Sequence, residues 1–201
     1  QIVSYASGAT GTIIVKDIPG SIPSLPRRLL FVDDQPVAGT HTPGIVDSKI
    51  LGHLPLALHA NPKRALTVGF GSGGTSWSMT RHPIEVDVVE IEPEVVKVAD
   101  LFQSLNFDVL NQTHLHVILN DARDHLARTQ ERYDVIVTDV TNLQYKQNGS
   151  LYTAEYFALM KSKLTSTGVA AAWIPLESLT RGQLSTFFRT FQSVYPHASL
   201  W

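Results

Sequence analysis

The chain of 201 residues contains no cysteine, which excludes disulfides, thiolate nucleophiles and cysteine metal ligands. That absence leaves the redox compartment undecided. No apolar run reaches the ~18 residues of a membrane-spanning helix, so no membrane contact is expected from this segment itself. No stretch concentrates lysine and arginine, and the formal net charge is −2, which disfavours a nucleic-acid partner. There is no P-loop lysine behind a glycine run, which argues against nucleoside triphosphates. What the chain does have is apolar content: 43%, enough for one α/β domain with a core and a small appendage. Gln1 and Trp201, the latter inside an apolar segment, read as cut ends, so a domain excised from a longer protein is expected.

The stretch that organises the rest is Ala65-Leu66-Thr67-Val68-Gly69-Phe70-Gly71-Ser72-Gly73-Gly74-Thr75. A short apolar run ends in four glycines and leads into a helix-compatible segment, the pattern of a buried parallel strand, a tight turn and a helix start. The glycines permit backbone angles that a Cβ forbids and let a ligand lie against the main chain. Ile84-Glu85-Val86-Asp87-Val88-Val89-Glu90-Ile91 reads as the next strand. Its end, Glu90, lies about 20 residues past the glycines, where an acid holds the two hydroxyls of a nucleoside ribose.

In chain order, residues 1–44 read as a small β-strand domain and 45–201 as the main domain. Thr12-Ile13-Ile14-Val15 and Leu29-Leu30-Phe31-Val32 are strand-like, Asp33-Asp34-Gln35-Pro36 is a hairpin turn, and residues 19–26 form a Pro/Gly loop. Residues 46–58 suit a helix with Ile50, Leu54 and Leu58 on one face and a kink at Pro55. Helices are expected over 75–80, 93–105, 122–128 and 151–164, the last capped by Thr153. Strands are expected over 115–119, 133–139 and 168–174, and residues 140–150 form a polar, mobile loop. Thr180-Arg181-Gly182-Gln183 has capping-box spacing and opens a helix to about residue 195, and a sixth strand would begin at His197. This alternation predicts a doubly wound, mainly parallel Rossmann-type sheet whose last strands are truncated.

In such sheets ligands bind beyond the carboxyl ends of the strands. The glycine turn, Glu90, Asp121 and Asp139 therefore converge on one rim. Glu90 would accept from ribose hydroxyls. Asp121 would accept from an exocyclic amine such as that of adenine, with the backbone N–H of Ala122 beside it. Asp139 would face the reacting centre. Gly69, Gly71, Ser72 and Gly73 of the turn, with Ile91 next to Glu90, complete the expected adenosyl-binding set. Asp121 and Asp139 would crowd a pyrophosphate with like charge, which disfavours a dinucleotide. An adenosine carrying a positive charge fits better, such as the sulfonium of S-adenosylmethionine or of its decarboxylated form. His114 and His116 have a spacing that could serve a metal, but with no acidic or cysteine partner in view a structural role is expected and no metal is assigned.

The motifs Leu30-Phe31-Val32-Asp33, His53-Leu54-Pro55-Leu56, the glycine turn, Val89-Glu90-Ile91-Glu92-Pro93 and Asn120-Asp121-Ala122-Arg123 continue through Tyr133-Asp134-Val135-Ile136-Val137-Thr138-Asp139 and Leu151-Tyr152-Thr153-Ala154-Glu155-Tyr156-Phe157. Together they resemble the spermidine/spermine synthase superfamily, the polyamine aminopropyltransferases. The resemblance implies an N-terminal β domain on a methyltransferase-like Rossmann domain, usually as a homodimer. It implies that Glu90 holds the ribose, Asp121 the adenine and Asp139 the attacking amine. It also implies decarboxylated S-adenosylmethionine as co-substrate with no tightly bound cofactor, and a small-molecule amine as acceptor. A cytoplasmic location is expected; residues 194–201 also resemble the branch whose synthase-like domain is fused to a membrane-spanning region, which would make this the soluble domain of a membrane-anchored protein.

The departures from the family pattern cluster on the acceptor side. Ser72 stands where the family commonly has an aspartate, Asn142 where it has a second one, and Asp47-Ser48-Lys49 where it has a tyrosine and a Gln-Glu or His-Glu pair. Lys49 would repel a cationic acceptor if it faced the pocket, and Asp47 could compensate. Asn142, Tyr145 and Tyr152 remain as candidate acceptor contacts, with loop packing the alternative for both tyrosines. Three readings stay open: an active aminopropyltransferase-like enzyme, an adenosyl-binding module without turnover, and an S-adenosylmethionine-dependent methyltransferase.

Overall fold

The computed structural model describes residues 1–20, 27–140 and 146–201. Asn142, Tyr145 and much of the expected 19–26 loop lie outside the described residues. β1 (Ile2–Ser7), β2 (Thr12–Ile18), β3 (Arg27–Val32) and β4 (Gln35–Gly39) form an antiparallel meander in chain order. Asp33 and Asp34 form the expected β3–β4 turn, with φ of 46° and 63°. A two-residue hairpin whose central residues both take positive φ matches the twist of its strands, and Asp tolerates that region better than most residues.

The helix α1 (Thr42–Ala57) is opened by Pro43 and leads to β5 (Arg64–Val68) and α2 (Gly74–Met79). Its expected apolar face is corrected. Ile50 and Leu58 are 47% and 55% exposed, whereas Leu51, Gly52, Pro55 and Leu56 are buried. The reason is a close helix crossing: a Cβ on Gly52 would lie 2.3 Å from the Ser78 Cβ and 2.8 Å from the Thr75 carbonyl oxygen of α2. The contact face is centred on a glycine, which a pattern of large apolar residues cannot reveal.

With β6 (Glu85–Glu90), β7 (Leu115–Leu119), β8 (Tyr133–Thr138) and β9 (Leu164–Ala172), β5 builds a parallel sheet in the order β7-β6-β5-β8-β9. Val68 pairs in register with Val89 on one side and Thr138 on the other. This register puts the residues that follow, Gly69, Glu90 and Asp139, in one row at the carboxyl edge. The central strands are buried on both faces, as their near-continuous apolar runs require. Thr67, Asp87 and Thr138 interrupt these runs, and Asp87 in β6 is held by the Arg64 guanidinium at 2.9 Å and the Tyr133 hydroxyl at 2.9 Å.

The single helix expected over 93–105 is broken into α3 (Pro93–Lys97), a 3₁₀ turn at Ala99–Phe102 and α4 (Gln103–Asn106). Val95, Val96 and Val98 are poor helix formers, and burying Val98 with Ala99 and Phe102 draws the chain off the helical path. α5 (Ala122–Arg128), α6 (Lys146–Gly149), α7 (Ala154–Lys163) and α8 (Arg181–Val194) follow. Thr153 caps α7 and Thr180 with Gln183 forms the capping box of α8, as expected. β9 starts at Leu164, earlier than the predicted 168, and no strand forms over 197–201. That last segment does not add to the outer edge of β9, and Trp201 is 74% exposed.

The sheet separates two cores. On one face Phe70, Met79 and Phe102 pack in a cluster that includes Ile13, Val15 and Leu30 of the N-terminal sheet. On the other, Tyr156, Phe157, Met160 and Phe191 cover Leu66, Val68 and Ile136.

Candidate functional site

The glycine turn leaves β5 with φ of 95° at Gly69, 54° at Gly71 and 80° at Gly73. Gly69 has a second constraint, because a Cβ there would stand 2.7 Å from the Asp139 carbonyl oxygen. The turn is tied to the next strand end. The Phe70 N–H donates to Oε2 of Glu90 at 2.9 Å, and the Glu92 N–H donates to Oε1 of Glu90 at 2.9 Å. Burial pushes the Glu90 carboxyl above its ordinary range, opposed by N–H donors from Phe70, Glu92 and Ile91. Each carboxylate oxygen has two lone pairs, so the bonds from Phe70 and Glu92 leave acceptor capacity for a diol.

At the end of β7, Oδ1 of Asp121 accepts from the Arg123 and Asp124 N–H groups, both at 2.9 Å. Asp121 is thus the N-cap of α5 and also lines the cavity at this edge of the sheet. Ala122 is the first residue of that helix, where the N–H has no intrahelical partner.

At the end of β8, Oδ2 of Asp139 accepts from the Thr75 hydroxyl at 2.7 Å. Burial pushes the Asp139 carboxyl up to about 6; the Thr75 bond works against that, and the charge of Asp47 adds to it. Two cavities meet at this residue. The larger, about 510 Å³, is lined by Gly69, Glu90, Asp121 and Asp139. The smaller, about 220 Å³, is lined by Asp47, Ser72, Trp173, Glu177 and again Asp139. No lysine or arginine lines either one among the described residues.

The structure therefore brings Gly69, Gly71, Glu90, Ile91, Asp121, Ala122 and Asp139 around one cavity. Ser72 lines the smaller cavity instead, and Gly73 lines neither, serving as the left-handed N-cap of α2. Tyr152 lines neither cavity; its hydroxyl lies 2.8 Å from the Val140 carbonyl oxygen and 2.9 Å from that of Trp173, a packing arrangement. Lys49 is exposed and outside both cavities, while Asp47 lines the smaller one and accepts from the Trp173 indole N–H at 3.4 Å. His114 and His116 engage separate partners, the Thr80 carbonyl oxygen and Glu85. The sequence reading missed Thr10, Thr75, Glu92, Trp173 and Glu177. Only Glu92 carried a signal, as a second acid just beyond the strand end.

Acids at three strand ends around a glycine turn, with the crevice at the point where strand order reverses, define a doubly wound α/β protein with an acid-lined ligand cleft. Residues 45–194 match the family described as spermine/spermidine synthase domain, and the chain belongs to that family.

Among curated proteins, it is similar to a polyamine aminopropyltransferase of Bacillus mycoides, 25% identical over 174 residues, covering 86% of this chain and 63% of that protein. It is also similar to a polyamine aminopropyltransferase of Bacillus subtilis, 26% identical over 181 residues, covering 87% and 63%. The chain thus spans less than two thirds of the length of these relatives. Its fold matches the crystal structure of spermidine synthase from Thermotoga maritima with a TM-score of 0.84 at 18% identity, over 98% of this chain and 65% of that one. It also matches a spermidine synthase in complex with the transition-state analogue AdoDATO, with a TM-score of 0.83 at 20% identity, over 98% and 66%.

Proposed function

We propose that the chain transfers an aminopropyl group from decarboxylated S-adenosylmethionine to an amine and releases methylthioadenosine. The observation that carries this reading is the meeting of two acid-lined cavities at Asp139, with no lysine or arginine lining either among the described residues. A cationic donor and a cationic acceptor suit such walls, whereas a phosphate or a methionine carboxylate would meet repulsion and no counter-charge. In this reading the larger cavity takes the adenosyl group, with its ribose on Glu90 and its adenine on Asp121 and the Ala122 N–H. The smaller cavity takes the acceptor.

The chemistry then asks little of the protein. The acceptor nitrogen attacks the methylene carbon beside the sulfonium. The carbon–nitrogen bond forms as the carbon–sulfur bond breaks, and the electron pair stays on sulfur. The thioether leaves neutral and needs no acid. The attacking amine must give up a proton, and Asp139, a base just below neutrality, receives it and passes it to solvent. Holding the two reactants in line across the cavity junction supplies much of the acceleration.

Ser72 in the smaller cavity, where the family commonly has an acid, favours a second reading: an adenosyl-binding module that does not turn over. Calorimetry with decarboxylated S-adenosylmethionine, S-adenosylmethionine and methylthioadenosine, alongside methylthioadenosine release over a panel of amines, separates the readings. The decarboxylated donor should bind best and release methylthioadenosine with a diamine. Binding with no release over the whole panel favours the module. Tighter binding of S-adenosylmethionine with methyl transfer overturns both.

A further inference from the structure

The β1–β2 turn of the N-terminal sheet reaches the acids at the strand ends. Thr10 donates twice to Oε2 of Glu92, from its backbone N–H and from its hydroxyl, each at 2.8 Å. The Glu92 N–H donates in turn to Glu90, and Glu90 accepts from Phe70 of the glycine turn. The hairpin turn is shaped for this approach. The Gly8 N–H closes it on the Gly11 carbonyl oxygen at 2.8 Å, and a Cβ on Gly8 would fall 2.4 Å from the Glu92 carboxylate. The turn is braced to its neighbour, since the Thr12 N–H donates to Oδ1 of Asp33 at 2.7 Å. Thr10, Asp33, Glu90 and Glu92 all line the larger cavity.

We propose that Thr10 and Glu92 are positioning residues for the nucleoside site, through which the N-terminal sheet fixes the Glu90 carboxylate and the glycine turn. This rests on reading the larger cavity as the donor site. Glu92 is only 2% exposed, so an ionised carboxylate there depends on its donors. Burial works to raise its pKa, yet the bonds from Thr10, Glu94 and Ala9 hold it below the ordinary range. Without the Thr10 hydroxyl the buried Glu92 carboxylate keeps its Glu94 donor but loses one of its ties to the β1–β2 turn. The same residue supplies the backbone N–H that orients Glu90, so the disturbance passes directly to the ribose acid. The N-terminal sheet is then one wall of the donor site, and it reaches the ribose acid through Thr10 and Glu92.

The test uses the chain as it stands, with methylthioadenosine as probe and thermal unfolding as the folding control. Thr10→Val removes the hydroxyl and keeps the backbone donor. It should weaken binding about tenfold, the scale of one charge-assisted hydrogen bond. Thr10→Ser should restore affinity. In a Glu90→Gln background the Thr10→Val penalty should largely vanish, because it acts through Glu90. Additive penalties overturn the proposal, as does unchanged affinity in Thr10→Val. Amide exchange reads the relay without ligand: in Thr10→Val the Phe70 and Glu92 amides should exchange faster while Val88 in the strand interior does not. Unchanged exchange at Phe70 overturns the relay whatever the cavity binds. Faster exchange in a chain that does not bind methylthioadenosine upholds the relay and removes the donor reading of the cavity.

Discussion

The Thr75 hydroxyl donates to Oδ2 of Asp139 at 2.7 Å, so α2 holds the acid at the end of β8. This bond opposes burial and the charge of Asp47, which both act to raise the Asp139 pKa. With the bond the carboxyl sits at about 6. It is ionised at neutral pH and still able to hold a proton in passing, which is what a general base for an amine needs.

Replacing Asp139 by Asn should lower kcat by about 10³, within the range of general-base loss, while methylthioadenosine affinity changes little. The same variant should be more stable at neutral pH. The carboxyl holds its proton up to about 6 when folded but only to 3.8 when exposed. Between those values the native state carries the extra proton, so stability falls as pH rises through the window and stays lowered above it. Asn removes that loss, a gain of up to about 3 kcal/mol at pH 7 that disappears below about pH 4. Thermal unfolding of both proteins across pH 3.5–8 measures it. A variant no more stable than the parent at pH 7 would show that Asp139 is not strained by burial.

Thr75→Val should move the acid limb of the pH–rate profile upward, because it deletes an interaction that lowers the Asp139 pKa. Thr75→Ser should return the limb to its starting place. A purely structural role for Thr75 would change kcat without moving the limb.

The central strands and the rim acids were legible in the sequence for a physical reason. Strands buried on both faces read as near-continuous apolar runs, and the residue after each run falls at the strand end. The caps Thr153 and Thr180 were legible because capping is a local code. Other features depended on contacts between distant residues. Thr75 meets Asp139 across 64 residues and Thr10 meets Glu92 across 82, and no periodicity records either. The buried face of α1 was misread because its contact with α2 is built on Gly52, where the signal is a missing side chain. The expected strand at His197 did not form, because a short segment's strand propensity does not by itself dock it on a sheet edge, here that of β9.

Asp47→Asn should act on both the base and the acceptor. Asp47 shares the smaller cavity with Asp139 and adds to the rise of its pKa. Removing that charge should move the acid limb down, the reverse of Thr75→Val. It should also raise KM for a diamine by about tenfold, the scale of one partly buried charge contact, with methylthioadenosine affinity unchanged. Equal effects on diamine KM and on nucleoside affinity would place Asp47 outside the acceptor's path.

Gly69 and Gly71 both take positive φ and both line the larger cavity, yet alanine should cost far more at the first. At Gly71 an added Cβ meets the Ala38 Cβ at 3.4 Å, an ordinary contact, so only the left-handed backbone is strained, at about 1–2 kcal/mol. At Gly69 the Cβ would stand 2.7 Å from the Asp139 carbonyl oxygen, a backbone atom that cannot move without carrying the Asp139 carboxyl with it. Gly69→Ala should therefore lower both the melting temperature and kcat, whereas Gly71→Ala should lower the first slightly and leave the second near its starting value. Thermal unfolding and turnover measured on the pair decide the matter. Equal losses of kcat would mean that the close approach of Gly69 to Asp139 does not set the position of the proposed base.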